Sequence, residues 1–324
     1  MKISKCIIIG FGTIGKRHAK NFLNLKCEVF VWSRSIQRNQ KINKTNKINK
    51  IKFTNNLDET IENVDFAVIC TNTSTHLKYI LKCLDFKKNI YLEKPITNKI
   101  NEIKKITNHK NFKKVKIQVG CQLRSDPQIL KIKKIISKKI LGKIITYKSY
   151  VGQNLNLWRE KEAKKYYSAY KKYGGGVYWD LIHDIDLAYY LIGDFNIIKS
   201  VSTKLSNITY DADDYCNLII KHKTKKILGN IILDMINPAY TRNLLIILDK
   251  GSISWEDNLR EIKITKYNKK KNKIIKIKDN IKRNDIFIKH AENFISAQNK
   301  NIKLICDFND FKTVNCKLSN ISKI

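Results

Sequence analysis

Long apolar runs are missing from this sequence. Lysine or asparagine interrupts every apolar stretch, so none approaches the ~18 uncharged residues that a membrane span requires. Only four apolar residues separate Lys5 from Gly10, which is too few for the core of a secretory signal. We therefore expect a cytoplasmic protein with no membrane partner.

The eight cysteines lack the spacing of a metal site. They include no CxxC pair and no cysteine–histidine cluster of the kind that binds zinc. Cys6 and Cys70 lie in strand-like apolar segments, where a free thiol behaves as a small apolar side chain. The pattern indicates a reduced compartment and no bound metal.

Acidic residues are scarce: 28 Asp and Glu stand against 64 Lys and Arg, which gives a formal net charge of +36. A charge of this size raises nucleic-acid binding as a hypothesis. However, the excess is spread along the whole chain and accompanies many Ile and Asn residues, as in 41–50. We interpret it as compositional drift on a solvated surface. No specific nucleic-acid partner is expected, although the charge favours anionic ligands.

An apolar segment, Cys6–Ile9, runs directly into a turn with GxGxxG spacing. Its three glycines allow a tight turn, close approach of the backbone to phosphates, and close packing of the next helix on a sheet. That helix, predicted over Lys16–Leu25, would direct its N-terminal N–H groups at the pyrophosphate of a dinucleotide. The predicted cofactor-binding residues of the turn are Gly10, Phe11, Gly12, Thr13, Ile14 and Gly15.

The first part of the chain continues to alternate strand-like and helical segments, as a parallel sheet requires. Two polar segments, Thr71–Thr75 and Glu93–Pro95, follow the ends of predicted strands, where ligands of such sheets bind. They add further residues to the predicted cofactor site: Thr71, Asn72, Ser74, His76, Glu93 and Lys94. The predicted strands are Glu28–Trp32, Asp65–Cys70, Asn89–Leu92 and Val115–Val119.

The end of the second predicted strand bears on which cofactor binds. An acidic residue there accepts a hydrogen bond from the ribose 2′-OH and favours NAD. This chain has Ser33 and Arg34 instead, and a hydroxyl beside a guanidinium suits a 2′-phosphate. NADP is therefore favoured and NAD remains possible, since Arg34 also fits a plain surface cation.

The second part of the chain contains short runs in which apolar residues alternate with lysine, as in a sheet with one solvated face. A helix is predicted over Ile286–Gln298, and the Lys/Asn-rich stretches 38–52 and 268–273 are predicted to be loops. The predicted strands are Val201–Leu205, Tyr215–His222, Ile227–Met235, Asn243–Leu248, Ser252–Trp255, Glu261–Tyr267 and Lys273–Lys278.

Four motifs in this order resemble the glucose-fructose oxidoreductase, inositol dehydrogenase and MocA (Gfo/Idh/MocA) family. They are Gly10–His18, Cys70–His76, Glu93–Pro95 and the block Gly174–Asp186. The resemblance implies an α/β fold with a Rossmann domain over residues 1–120. It also implies a C-terminal α+β domain over 121–324, whose mostly antiparallel open sheet serves the substrate and a homodimer or homotetramer.

The resemblance also implies roles for the matching residues. Lys94 matches the lysine that contacts both the nicotinamide ribose and the reacting oxygen of the substrate, and His183 matches the histidine that exchanges a proton with that oxygen. Asp180 is the best match for their acidic partner. Three residues separate this aspartate from the histidine in many members, but only two do here. Asp184 and Asp186 therefore stay open as alternatives.

The residue chemistry agrees with these roles. A histidine has an unperturbed pKa of about 6.5, so His183 is suited to proton exchange, while Lys94 adds positive charge where negative charge develops on oxygen. Plainer interpretations are a hydrogen-bonded core histidine and a solvated lysine. The acids around His183 could also suggest a metal, but no second histidine supports one.

The short spacing, together with 152–158 and 166–169, resembles a branch of the family linked to surface-glycan and sialic-acid-like sugar biosynthesis. The expected substrate is a sugar, a sugar nucleotide or a sialic-acid-like sugar. Arg124 fits either an anionic substrate group or a bridge between domains, and Trp158 fits either a sugar ring or a packing arm. We expect an NAD(P)-dependent oxidoreductase acting on CH–OH groups, and the alternative is a non-catalytic NAD(P)-binding regulator or inactive paralogue.

Overall fold

The computed structural model describes residues 3–34, 50–158, 162–267 and 273–321. Most of the two stretches predicted as loops, 38–52 and 268–273, lies outside these residues. The chain divides into two compact units. The first unit contains Met1–Gln122 and Arg283–Lys312, and the second contains Leu123–Lys282 and Thr313–Ile324.

The first unit contains a six-stranded sheet in the order β3-β2-β1-β4-β5-β6. All of its neighbouring strands are parallel. This order confirms the predicted doubly wound Rossmann sheet, in which ligands bind beyond the carboxyl ends of the strands near the change of direction at β1 and β4. The strands are β1 (Lys5–Ile9), β2 (Glu28–Trp32), β3 (Ile51–Phe53), β4 (Phe66–Ile69), β5 (Asn89–Leu92) and β6 (Ile117–Val119).

The helices of the first unit cover this sheet. Cys6, Ile7, Ile8 and Ile9 of β1 are all fully buried, which explains their continuous apolar pattern. The helices are α1 (Thr13–Asn24), α2 (Leu57–Asn63), α3 (His76–Asp85) and α4 (Asn101–Thr107).

A late helix, α9 (Arg283–Asn299), also belongs to the first unit. The Phe294 ring packs edge-on against Phe66 at 5.3 Å and against Tyr91 at 5.6 Å between ring centroids. Burial of these aromatic rings stabilises the return of the chain to this unit. The units are consequently discontinuous in sequence, unlike the continuous division drawn from the motifs.

The second unit contains an eight-stranded sheet in the order β14-β13-β12-β11-β7-β10-β9-β8. Its pairs are antiparallel except for β7 and β10, which confirms the predicted mostly antiparallel sheet. The strands are β7 (Ile144–Gly152), β8 (Phe195–Thr203), β9 (Tyr215–His222), β10 (Leu228–Asp234), β11 (Thr241–Leu248), β12 (Gly251–Glu256), β13 (Glu261–Lys266) and β14 (Lys273–Lys278).

Four helices accompany this sheet before its second strand. Helix α5 begins after Asp126, whose carboxylate accepts a hydrogen bond from the backbone N–H of Gln128, and Pro127 occupies its first turn. The helices are α5 (Pro127–Ser137), α6 (Leu155–Trp158), α7 (Val177–Asp180) and α8 (Ile182–Ile192). A final helix, α10 (Phe308–Lys317), lies near the end of the chain.

Several elements were not predicted. The edge strand β3 forms within a stretch predicted as a loop, the central strand β7 was not recognised, and β8 begins at Phe195 rather than Val201. Strand β7 mixes Thr146, Lys148 and Ser149 with apolar residues, so its sequence carries a weak strand pattern. Its pairing with both β10 and β11 forms it nonetheless.

All eight cysteines are free thiols, and seven of them are buried. Among the described residues, no helix combines the length and the apolar character needed to cross a bilayer.

Candidate functional site

Two glycines of the GxGxxG turn are required by the packing of the chain itself. Gly10 has φ +99°, and a Cβ there would lie 2.9 Å from the carbonyl carbon of Cys70. A Cβ on Gly15 would lie 2.0 Å from the carbonyl oxygen of Gly10. These positions hold the turn, α1 and the end of β4 close together.

Gly12 is different, because its own surroundings among the described residues do not require a glycine. Its φ is −75°, which any residue adopts, and apart from its chain neighbours no atom of the described residues lies within 4 Å of where a Cβ would stand. It is the N-cap of α1, with no side-chain cap and no acidic residue in the first turn. Helix N–H groups without a capping side chain attract anions. The space at Gly12 therefore fits the pyrophosphate of a dinucleotide.

The three other residues of the turn differ in exposure. Phe11 is buried and packs edge-on against Phe53, with ring centroids 5.4 Å apart. Its side chain belongs to the core, so any cofactor contact of Phe11 would come from its backbone. Thr13 is exposed and Ile14 is half-buried, which leaves both at the surface of the turn.

The end of β2 lies beside the glycine turn, since the N–H of Gly10 donates to the carbonyl of Trp32 at 2.9 Å. Ser33 follows half-buried and Arg34 follows exposed. Burial raises the pKa of Tyr79 on α3, and the positive charge of Arg34 acts in the opposite direction. Arg34 thus places a cation near Tyr79, next to the turn.

The turn after β4 approaches the same place. The methyl carbon of Thr71 would lie 3.0 Å from a Cβ on Gly10. The Thr75 hydroxyl donates to Thr71 Oγ1 at 2.9 Å and to the carbonyl of Asn72 at 2.8 Å, which fixes the shape of the turn. Asn72 and Ser74 are half-buried, so their polar groups lie at the surface of this turn.

His76, predicted to bind the cofactor, is buried instead. Its Nδ1 lies 2.9 Å from the carbonyl oxygen of Pro95, and its Nε2 lies 3.1 Å from that of Thr71. Burial lowers its pKa. Both ring nitrogens therefore face backbone oxygens of the first unit, and the side chain connects the turn after β4 to the segment after β5.

Glu93 is also buried, and its carboxylate faces the protein interior. Its Oε1 accepts hydrogen bonds from Nε2 of His18 at 2.6 Å and from Nε2 of Gln122 at 3.0 Å. Lys94 is half-exposed, whereas the residues on both sides of it are buried. At the end of β5 the structure thus presents the lysine and encloses the glutamate.

In the second unit, a glycine run precedes α7 and α8. Gly174 and Gly176 have φ +79° and +122°. A Cβ on Gly175 would lie 2.4 Å from the carbonyl oxygen of Tyr167, so the chain passes very close to that segment. The run therefore needs glycine for its own backbone and packing, and it leads directly into the helices that carry Asp180 and His183.

The three carboxylates near His183 have different partners. Asp186 is paired with Arg124 through two hydrogen bonds of 2.9 and 2.6 Å, and Asp184 accepts one from Arg242 at 3.1 Å. Burial by itself would lower the pKa of Arg242, but its interactions with Asp184, Tyr240 and Asp257 together raise that pKa. Two of the three candidate partners of His183 are thus engaged by arginines.

Asp180 has a neutral partner instead, the Tyr167 hydroxyl, which donates to its Oδ1 at 2.7 Å. His183 is half-buried, while the other residues of 181–188 are buried. Trp158 is the last residue of α6.

Sequence reasoning missed several supporting residues. It did not assign partners to Asp184 and Asp186, and it left Arg124 between a substrate group and a domain bridge. In the structure the Arg124 guanidinium is buried, with Asp186 on one side and the Tyr190 ring 5.2 Å away. His18 belonged to a recognised motif, but nothing in its spacing connected it with Glu93.

Two protein-family models match the chain, one in each part of the sequence. The first, described as an oxidoreductase family with an NAD-binding Rossmann fold, matches residues 4–121. The second, described as a GFO/IDH/MocA C-terminal domain, matches residues 129–254.

Curated relatives are similar over part of their length. A scyllo-inositol 2-dehydrogenase (NAD(+)) of Bacillus subtilis is 30% identical over 193 residues, which is 58% of this chain and 54% of the relative. A myo-inositol 2-dehydrogenase of Thermotoga maritima is 26% identical over 195 residues, 58% and 54% of the two chains. The chain thus spans about half the length of the curated relatives it matches.

Solved structures are similar over nearly the whole chain. Levoglucosan dehydrogenase in complex with NADH and levoglucosan superposes with a TM-score of 0.86 at 17% identity, covering 97% of this chain and 95% of that one. UDP-N-acetylglucosamine 3-dehydrogenase from Acidithiobacillus ferrooxidans gives 0.78 at 18% identity, covering 98% and 97%. These likenesses establish the fold, and with the two family models they show that the chain belongs to the Gfo/Idh/MocA family of oxidoreductases.

Proposed function

We propose that the protein is an NAD(P)-dependent oxidoreductase acting on a CH–OH or carbonyl carbon of a sugar or sugar-like polyol. The observation that carries the proposal is the open space at Gly12, where the chain's own packing does not require glycine. A backbone that a phosphate must approach closely does require it.

The residues that would hold the cofactor surround that space. The first-turn N–H groups of α1 would bind the pyrophosphate, and Thr71, Asn72 and Ser74 line the neighbouring turn. Ser33 and Arg34 would contact the adenosine ribose, which favours NADP over NAD. When bound, the nicotinamide supplies or accepts the hydride.

Lys94 would act on the reacting oxygen of the substrate. Its half-exposed side chain follows β5, at the end of the sheet where ligands bind in this fold. An ammonium group stabilises the negative charge that develops on an oxygen as its proton leaves.

His183 would exchange the proton of that oxygen. His183 is half-buried on α8, and two acidic residues of this helix, Asp186 and Asp184, are paired with arginines. Asp180 is the acidic partner we assign to His183, because it is the best match for the aspartate of the family motif. The Tyr167 hydroxyl would keep this carboxylate in one orientation.

The substrate class rests on the relatives and on the motifs. Inositol, glucose 6-phosphate and levoglucosan dehydrogenases all act on polyhydroxylated rings, as their names state. The narrower prediction, a sugar nucleotide or sialic-acid-like sugar with Trp158 and Arg124 in its site, rests on motif resemblance. A homodimer or homotetramer and a cytoplasmic location likewise stay predictions.

Fluorescence titration of the purified protein with NADPH and with NADH tests the proposal first. We expect both to bind, NADPH more tightly. A screen of myo-inositol, scyllo-inositol, levoglucosan, glucose 6-phosphate and UDP-N-acetylglucosamine should then yield nicotinamide reduction with at least one. Binding of neither cofactor would overturn the proposal. Tight cofactor binding without turnover of any sugar would favour the non-catalytic alternative, and tighter NADH binding would reverse only the cofactor preference.

A further inference from the structure

Lys94 lies between two residues that buried histidines contact. His18 donates through Nε2 to the Glu93 carboxylate at 2.6 Å, and His76 Nδ1 lies 2.9 Å from the carbonyl oxygen of Pro95. Both rings are almost completely buried, with exposures of 0% and 1%. The half-exposed lysine therefore stands on a backbone that is held on each side.

Each of the two histidines lies on the helix that follows one of the turns that would hold the cofactor. His18 lies on α1, three residues after Gly15, and His76 opens α3 directly after the turn Thr71–Thr75. Each side chain contacts a residue next to Lys94: His18 contacts Glu93, and His76 contacts Pro95. The segment after β5 is thus connected to both turns by side chains within the first unit.

Further contacts hold Glu93 in place. Gln122 Nε2 donates to the same carboxylate oxygen as His18, and the Glu93 N–H donates to the carbonyl of Ile69 at 3.0 Å. A Cβ on Gly120 would lie only 3.0 Å from that carboxylate oxygen, so a larger residue would push the carboxylate away. The glutamate has little freedom to move.

The burial of both rings fits a mechanical role. Each ring nitrogen of His76 lies at hydrogen-bond distance from a carbonyl oxygen, Nδ1 from Pro95 and Nε2 from Thr71, and burial lowers the pKa of this group. His18 uses its Nε2 proton for Glu93, and its Nδ1 has no hydrogen-bond partner in the part of the chain that the structure describes. Neither ring is exposed to exchange a proton with a substrate.

We propose that His18 and His76 are positioning residues that fix the backbone on both sides of Lys94 and so tie its ammonium group to the two cofactor-binding turns. The functional meaning of this proposal rests on the role proposed above for Lys94. Loss of either contact should let the lysine move without removing any group that touches the substrate.

Chemical labelling of Lys94 tests this without substrate or cofactor. The protein is treated with trinitrobenzenesulfonate, and labelling rates at Lys94 and at the exposed Lys87 are compared by peptide mass spectrometry. Lys87 lies before β5, outside the segment Glu93–Pro95 that the two histidines contact, so its labelling rate serves as an internal reference. In His18→Leu and His76→Leu, the Lys94 to Lys87 ratio should rise at least about threefold, the size expected from loss of one buried hydrogen bond.

Matched variants separate positioning from general stability. In His18→Gln and His76→Asn an amide N–H replaces the ring N–H at nearly the same place, so the ratio should stay within about twofold of the wild type. An unchanged ratio in folded leucine variants would overturn the proposal, and so would an equal rise in the amide variants. If His18→Leu does not fold, His18→Asn takes its place, because its shorter side chain cannot reach Glu93. Failure of the wild type to bind NADPH or NADH would instead overturn the proposed function, whatever the labelling shows.

Discussion

The two units support their candidate site residues in different ways. In the first unit, buried His18, Glu93 and His76 contact one another or the backbone, and only Lys94 of that segment reaches the surface. In the second unit, the buried carboxylates on α8 and just before it accept hydrogen bonds from residues 13 to 62 positions away along the chain. The first unit positions a lysine through its backbone, while the second holds a helix through charged pairs. Among these residues, substitutions next to Lys94 should chiefly affect that lysine, whereas substitutions in the charged pairs should chiefly lower folding stability.

The two reacting groups themselves should lie outside this contrast, and their loss gives the largest expected effect. His183→Asn removes the proton-exchanging group and should lower kcat by about 10²- to 10⁴-fold. Lys94→Ala should lower it by about 10²- to 10³-fold, the usual effect of removing one electrostatic donor. Steady-state kinetics on the substrate found in the screen measures both, with Lys99→Ala as the control. Unchanged turnover in Lys94→Ala would end the proposed mechanism.

The charged pairs of the second unit predict the next effect. Asp186→Ala leaves the buried Arg124 guanidinium without its bidentate partner and should destabilise the fold by about 3–5 kcal/mol. Urea unfolding followed by circular dichroism measures the loss. The double variant Arg124→Met/Asp186→Leu, which removes both charges, should recover much of it. A double variant as unstable as Asp186→Ala would show that packing, rather than the unpaired charge, sets the cost.

Two glycines of one turn sharpen the comparison within the first unit. Gly15→Ala forces a Cβ against the carbonyl of Gly10 and should lower the unfolding free energy by about 1–3 kcal/mol. Gly12→Ala meets no protein atom, so stability should change by less than about 1 kcal/mol. Its cofactor dissociation constant should nevertheless rise about tenfold, which corresponds to about 1.4 kcal/mol.

Urea unfolding and NADPH titration of both glycine variants separate these outcomes. Equal losses of stability in Gly12→Ala and Gly15→Ala would mean that Gly12 is needed by the fold and would remove the argument for a cofactor at this turn.

The smallest expected effect concerns pH. Because the pKa of His76 is lowered in the folded state, the unfolded chain binds the extra proton first as pH falls below about 6.5. The wild type should therefore lose stability on acidification, by at most about 1.4 kcal/mol per pH unit from this group. His222 in the second unit also has a lowered pKa from burial and Lys225, so the wild-type curve alone cannot isolate His76.

Comparison of the wild type with His76→Asn isolates the contribution of His76 to the pH dependence of folding stability. The stability difference between wild type and variant, measured by urea unfolding, should narrow between pH 7.5 and pH 5.5, because the variant lacks this proton-linked loss. A difference that stays constant over that range would contradict the lowered pKa.

Prediction from the sequence succeeded best where periodicity and buried strands coincide. The segments Cys6–Ile9 and Ile90–Leu92 are continuously apolar because both faces of a parallel strand are covered, and they form β1 and most of β5 as predicted. Strand β7 escaped detection because its polar residues hide the alternation. Helix α5 has its start signals at Asp126 and Pro127, but it was not predicted from the sequence.

The candidate site divides in the same way. The glycine spacing locates the GxGxxG turn because the packing of the chain requires glycine at Gly10 and Gly15, and this spacing is visible in the sequence alone. The burial of Phe11, His76 and Glu93 was not visible, because a motif gives the position of a residue but not the direction of its side chain. The partners of Asp184 and Asp186 lie 58 and 62 positions away along the chain. No local pattern reveals such pairs.

The sequence by itself determined the apolar strands of the first unit, the GxGxxG turn and the family, because these depend on local periodicity and on short motifs. The tertiary structure decided which carboxylates pair with arginines, which histidines brace the segment around Lys94, and which polar side chains are enclosed. Those outcomes depend on distant residues meeting in a low-dielectric interior, where a charge or hydrogen-bonding group must find a partner.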